Sequence, residues 1–103
     1  MNHYKNQKEM FLYIWETRAA DNGYKSELTG LPLFPPHHYK WHWQFLHVLP
    51  KGTYPKYKLN PDNILLGTIK EHENQERYEV FQEKQLELKR AYYKEYYNKE
   101  YDE

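Results

Sequence analysis

Two histidines, His47 and His72, stand apart from the other four and sit in surroundings that suggest chemistry. An imidazole titrates near neutral pH, so it can take a proton from water, and its neutral form ligates divalent metals. His47 closes a run of aromatic and aliphatic residues, and Lys51 follows four positions later, where an ammonium could meet a phosphate. Glu76 follows His72 by four positions, a spacing that places an imidazole and a carboxylate on one helical face as a candidate metal pair. A second cluster, His37, His38 and His42, has donors suited to zinc or nickel. Pro35-Pro36 disfavours a helical arrangement there, and no acid is close in sequence. No cysteine is present, so disulfides, thiolate zinc sites and cysteine nucleophiles are excluded. No glycine-rich phosphate loop or serine-triad motif occurs either.

The elements that must hold these side chains can be read from periodicity. Residues 5–20 predict a helix, with Met10, Phe11, Ile14 and Trp15 on one face and Asn22-Gly23 as its stop. Residues 28–36 contain Thr29-Gly30, Pro32 and Pro35-Pro36, which give a turn and extended chain. Residues 40–49 read as a strand. Alternation sets Trp41, Trp43, Phe45 and His47 on one face and His42, Gln44 and Leu46 on the other, with Trp41 and Trp43 expected in the core. Gly52, Pro55 and Pro61 make residues 50–62 a loop, and residues 63–69 read as a second strand, antiparallel to the first. From about residue 70 there is no Gly or Pro, and Glu, Gln, Lys and Leu predict one long helix. Its stripe is Tyr78, Phe81, Gln85, Leu88, Tyr92 and Tyr96. The Tyr-rich part beyond residue 89 is expected to extend past the core or fray. The expected class is α+β: N-terminal helix, two-stranded hairpin with a long loop, long C-terminal helix, in one domain over residues 1–103.

In this order of elements His47 ends the first strand, Asn63 opens the second sixteen residues on, and His72 starts the helix nine further. The stretch F-L-H-V-L-P-K-G-T-Y-P-K-Y-K-L-N-P-D-N-I-L-L, followed by K-E-H-E-N-Q-E, resembles the HNH (ββα-metal) endonuclease family, especially its phage-type branch. The resemblance covers about half the chain, with the core at residues 41–88 and a helical extension at 89–103. It implies a metal-dependent endonuclease that hydrolyses DNA phosphodiester bonds. By the same resemblance His47 is the general base and Asn63 orients the base or pins the loop. His72, with Glu76 as a second ligand, holds a divalent ion: Mg²⁺ or Mn²⁺, with Zn²⁺ or Ni²⁺ as alternatives. Lys51, Lys56 and Lys58 would contact phosphates. Two departures stand out. Where well-known members carry an Asp or His ligand just before the base, this chain has Leu46, so either His72, Glu76 and waters hold the metal, or Gln44 or His42 substitutes, or the site is weak or dead. Where many relatives carry cysteine pairs, residues 26–30 and 67–70 have none. Packing from the N-terminal helix is expected to replace that zinc staple.

Each residue also has a purely structural reading: His47 as a hydrogen-bonded strand end, Asn63 as a turn residue, His72 and Glu76 as helix surface. Net charge is zero, but it is unevenly spread. Residues 40–70 carry five lysines against Asp62, and residues 71–103 carry six bases against ten acids. A basic middle segment can meet phosphates within a neutral chain. Twelve Tyr, four Phe and three Trp outweigh the aliphatic supply and suit a small core. The apolar runs are too short to span a membrane, and no basic-then-apolar leader opens the sequence, so a cytoplasmic location is expected, in the host if phage-encoded. Two alternatives remain open. One is an HNH-like nucleic-acid-binding module without cleavage. The other is a phage structural or partner-binding protein that uses the Tyr-rich helix.

Overall fold

The computed structural model describes residues 4–101. Asn6 opens α1 (Gln7–Ile14), its side chain accepting from the Glu9 N–H at 2.9 Å. This satisfies one of the donors a helix start leaves bare. Met10, Phe11 and Ile14 form the buried stripe. A wider π turn, Trp15–Ala19, continues it with Trp15 and Ala19 also buried. The helix ends as the sequence suggests: Gly23 takes φ +68°, a left-handed conformation open to glycine at little cost.

The hairpin is shorter than expected. Residues 40–49 are not one strand. Trp41–Gln44 forms a 3₁₀ turn, and only Phe45–His47 is β1. The cause is Gln44, whose side chain is fully committed. Its Oε1 accepts from Phe34 N–H at 2.6 Å, and its Nε2 donates to Phe34 O at 3.0 Å and Trp41 O at 3.2 Å. In a turn of three residues the inward positions are i and i+3, here Trp41 and Gln44. Trp43 therefore points outward and is 48 % exposed, contrary to the core position that alternation gave it.

β2 (Ile64–Leu66) pairs antiparallel with β1 in the register Phe45–Leu66, Leu46–Leu65, His47–Ile64. Period-two alternation sends the two faces into two apolar clusters. Phe45, Ile64 and Leu66 pack with α1 and Trp41. Leu46 and Leu65 join Val48, Leu49, Tyr54, Tyr57 and the C-terminal helix.

The long helix expected from residue 70 is interrupted. α2 (Ile69–Glu73) is followed by a 3₁₀ turn, Gln75–Arg77, and then by α3 (Glu79–Tyr96). Asn74 makes the break. Its amide donates back to Lys70 O at 3.0 Å while its backbone leaves the helical region, the competition expected of a short polar side chain. The distal part of α3 is not a free extension. Leu88 and Tyr92 are buried, and the Tyr92 ring meets Tyr54 and Tyr57 edge-on at 4.9 Å each. The helix stops at Tyr96, short of the extension expected to residue 103, whose last two residues lie outside the described ones. The order of helix, antiparallel hairpin and long C-terminal helix matches the α+β class read from the sequence. Among the described residues no helix is long and apolar enough to cross a membrane.

Candidate active site

The last residue of β1 is the centre of interest. His47 is on the α1 face of the hairpin, its ring 6.2 Å from that of Phe11. It lines a hollow of about 410 Å³ with Lys51, His72, Gln75, His42, Trp43 and Gln7. Two imidazoles far apart in sequence therefore converge on one surface, His47 from the sheet and His72 from α2. Burial holds the His47 pKa down to about 4, with the charges of Lys51 and His72 acting in the same direction. The ring is thus neutral at physiological pH. Its Nε2 is shielded and has no hydrogen-bond partner.

Asn63 secures the chain just beyond His47. It is wholly buried, its Oδ1 accepting from Leu49 N–H at 2.8 Å and its Nδ2 donating to Leu49 O at 3.0 Å. Its own carbonyl accepts from Val48 N–H at 2.9 Å. It makes no contact with the His47 ring through these bonds; it fixes the backbone that leaves β1. Lys51 is tied to α1, its Nζ donating to Gln7 Oε1 at 3.2 Å.

His72 is aimed by its neighbour. Thr68 opens α2 in a capping box with Glu71. The buried Glu71 carboxylate also accepts from the hydroxyls of Ser26 and Thr29, the latter at 2.5 Å. Gly67 packs closely beside it: an added Cβ would lie 3.2 Å from Glu71 Oε1 and 3.3 Å from Leu28 and Leu46, so a neighbouring side chain would have to shift by a few tenths of an ångström. Ser26, Thr29, Thr68 and Glu71 thus join the two segments where the resemblance would place cysteine pairs. The α1 packing expected in that role is present on one face of the hairpin, but these segments are held by a carboxylate with hydroxyl donors. Arg18 adds a second tie, donating to Ile64 O at 2.5 Å and Pro61 O at 3.1 Å while pairing with Glu27.

Other sequence candidates fall elsewhere. Glu76 is in the 3₁₀ turn, not on the α2 face with His72, and shares only a separate shallow hollow with it. Lys56 and Lys58 do not line the His47 hollow; Lys56 stands over the Tyr96 ring at 5.7 Å, beside a different cleft. Gln44 has its amide fully bonded, and Leu46 is buried in the opposite cluster. Among the described residues no three His, Cys, Asp or Glu side chains group so as to hold a metal. The donors present therefore do not fit a preformed metal cage. Gln7, Trp43 and Gln75 also line the site, and nothing in their spacing announced it.

No family model, curated protein or solved structure matches this chain.

Proposed function

We propose that this protein is an HNH-type endonuclease that hydrolyses DNA phosphodiester bonds with His47 as general base. The observation that carries the reading is the shared hollow of His47, Lys51 and His72 at the junction of a ββα arrangement. Phosphodiester hydrolysis needs a deprotonated water, neutralised charge at phosphorus and departure of an alkoxide. The neutral His47 ring takes the water's proton as the new P–O bond forms. Lys51 offsets the charge on the non-bridging oxygens. The opposite P–O bond breaks, and the leaving oxygen is protonated from solvent. Binding an anion beside Lys51 cancels part of the charge that depresses His47, so the base strengthens once substrate is in place. The divalent ion implied by the family resemblance would be held here by His72, and it would supply charge neutralisation at the phosphate.

Plasmid nicking tests the reading. His47→Ala is expected to lower the nicking rate by at least about 100-fold with DNA binding retained. Equal nicking by variant and parent would overturn it. A second reading, a binding module without cleavage, is favoured by Leu46 and by the missing three-ligand group. Calorimetry with Mn²⁺ on the protein–DNA complex discriminates: binding lost in His72→Ala supports the nuclease, and no binding to the parent complex supports the module.

A further inference from the structure

Of the three tryptophans, Trp15 and Trp41 are 8 % and 6 % exposed, but Trp43 presents nearly half its surface. An indole is a large apolar surface to leave in water. Trp41 is buried beneath the same turn, Gln44 is anchored by three hydrogen bonds, and Trp43 N–H donates to Lys40 O at 3.1 Å. The indole is therefore carried on a fixed backbone. It lines the hollow that holds His47, Lys51 and His72, and the His42 ring stands edge-on to it at 5.5 Å.

The charge around it is one-sided. Residues 28–61 contain four lysines, four histidines and no Asp or Glu. The residues of α1, α2 and the 3₁₀ turn that line the hollow are Gln7, Phe11, His72 and Gln75, again without a carboxylate. Glu73 and Glu76 line only the adjoining hollow beyond His72 and Gln75. A flat aromatic ring beside an ammonium, in a hollow lined by no carboxylate, matches a polyanion that carries π faces. In a duplex those faces are covered by neighbouring base pairs. An unpaired base can stack on a side chain without the cost of unstacking a duplex.

We infer that Trp43 is a stacking platform for an unpaired nucleobase next to the phosphate met by Lys51, so that the substrate is single-stranded DNA or a single-stranded segment of a larger DNA. The inference rests on the nuclease reading in taking His47 as the reacting centre. It goes beyond that reading in naming the strand state of the substrate.

Affinity is read from the fluorescence anisotropy of end-labelled DNA, and tryptophan emission reports contact with the indole. The full chain is titrated in EDTA at low salt with a ten-nucleotide thymidine oligomer and with a 20-base-pair duplex. The oligomer is expected to quench emission and to bind tighter than the duplex. Trp43→Ala should abolish the quench and weaken oligomer binding by roughly five- to a hundred-fold, with duplex binding little changed. Trp43→Phe should recover part of the affinity, and an unaltered circular-dichroism melt would exclude misfolding of an exposed-site variant. Lys51→Ala should weaken both DNA forms alike. Oligomer binding by Trp43→Ala at parental affinity would overturn the proposal, as would tighter binding of the duplex. An indole that covers a protein partner instead would give that same negative result. Cleavage lost in His47→Ala, with Trp43-independent binding, would sink this inference and leave the nuclease standing. Trp43-dependent binding with no cleavage would do the reverse.

Discussion

At the scale of single residues, His47 combines a depressed pKa with a position that is useful only if the ring stays neutral. Its folded value of about 4 lies below the ordinary value of 6.5, so the fold favours the deprotonated form. The stability this supplies is complete above about pH 6.5 and is lost as pH falls toward 4. It amounts to roughly 1–3 kcal/mol, the upper figure being reduced by the partial exposure of the ring. Urea unfolding of the parent and of His47→Gln, run at pH 7 and pH 4.5, should show the parent losing more stability on acidification. Equal losses would mean that the ring is not the group responsible. On the nuclease reading, the same value places the acid limb of kcat/KM near pH 4 for the free protein. Asn63 bears on stability. Asn63→Ala strands the Leu49 N–H and C=O inside the core, at about 1–3 kcal/mol for each group. The urea midpoint should fall accordingly, and an unchanged midpoint would show that water can reach those groups.

Among the elements, α2 is the one whose placement decides the site. Five residues are too few for a helix to stand alone, so its position depends on what grips its ends. Glu71 supplies the grip. Burial would raise its carboxyl pKa, but the bonds from Ser26, Thr29 and Thr68 outweigh that and hold it below the ordinary value. Glu71→Ala should remove the capping box and leave two hydroxyls without their acceptor, at about 2–4 kcal/mol. It should also displace His72, so on the nuclease reading nicking is expected to fall more than binding. Glu71→Gln, which keeps one acceptor oxygen, should be milder on both measures. A fully stable Glu71→Ala variant would show that the apolar contacts of the hairpin suffice to seat α2.

For the whole molecule, the loop between β1 and β2 is clamped against α3 by edge-on tyrosine contacts, so the C-terminal helix supports the hairpin from the side opposite α1. Tyr57 is held at about 12, first by burial and then by the nearby Glu95 carboxylate, to which its hydroxyl donates at 3.4 Å. A raised tyrosine pKa means that the unfolded chain gives up its proton first. Stability should therefore decline as pH climbs from about 10 to 12. Absorbance at the tyrosinate band during alkaline unfolding checks this, and Tyr57→Phe should flatten the decline. Deleting residues 90–103 removes the buried Tyr92 and opens a cavity against Tyr54 and Tyr57. A loss of about 3–5 kcal/mol is expected. A truncated chain that melts like the parent would show that the tyrosine clamp carries no weight.

Periodicity in the sequence was enough for the α1 stripe, the left-handed stop at Gly23, the antiparallel hairpin and the α+β order, because each depends on local spacing and backbone preference. The sequence also singled out His47, Lys51 and His72 one by one. It could not show the 3₁₀ turn that puts Trp43 outside, since that turn depends on Gln44 reaching Phe34, ten residues away. Nor could it show that Ser26 and Thr29 meet Glu71 more than forty residues later. Pairings across such separations are set by how the two apolar faces of one short hairpin are covered, α1 on one and α3 on the other. Only that packing decided which imidazoles share a surface and which carboxylates stay away from it.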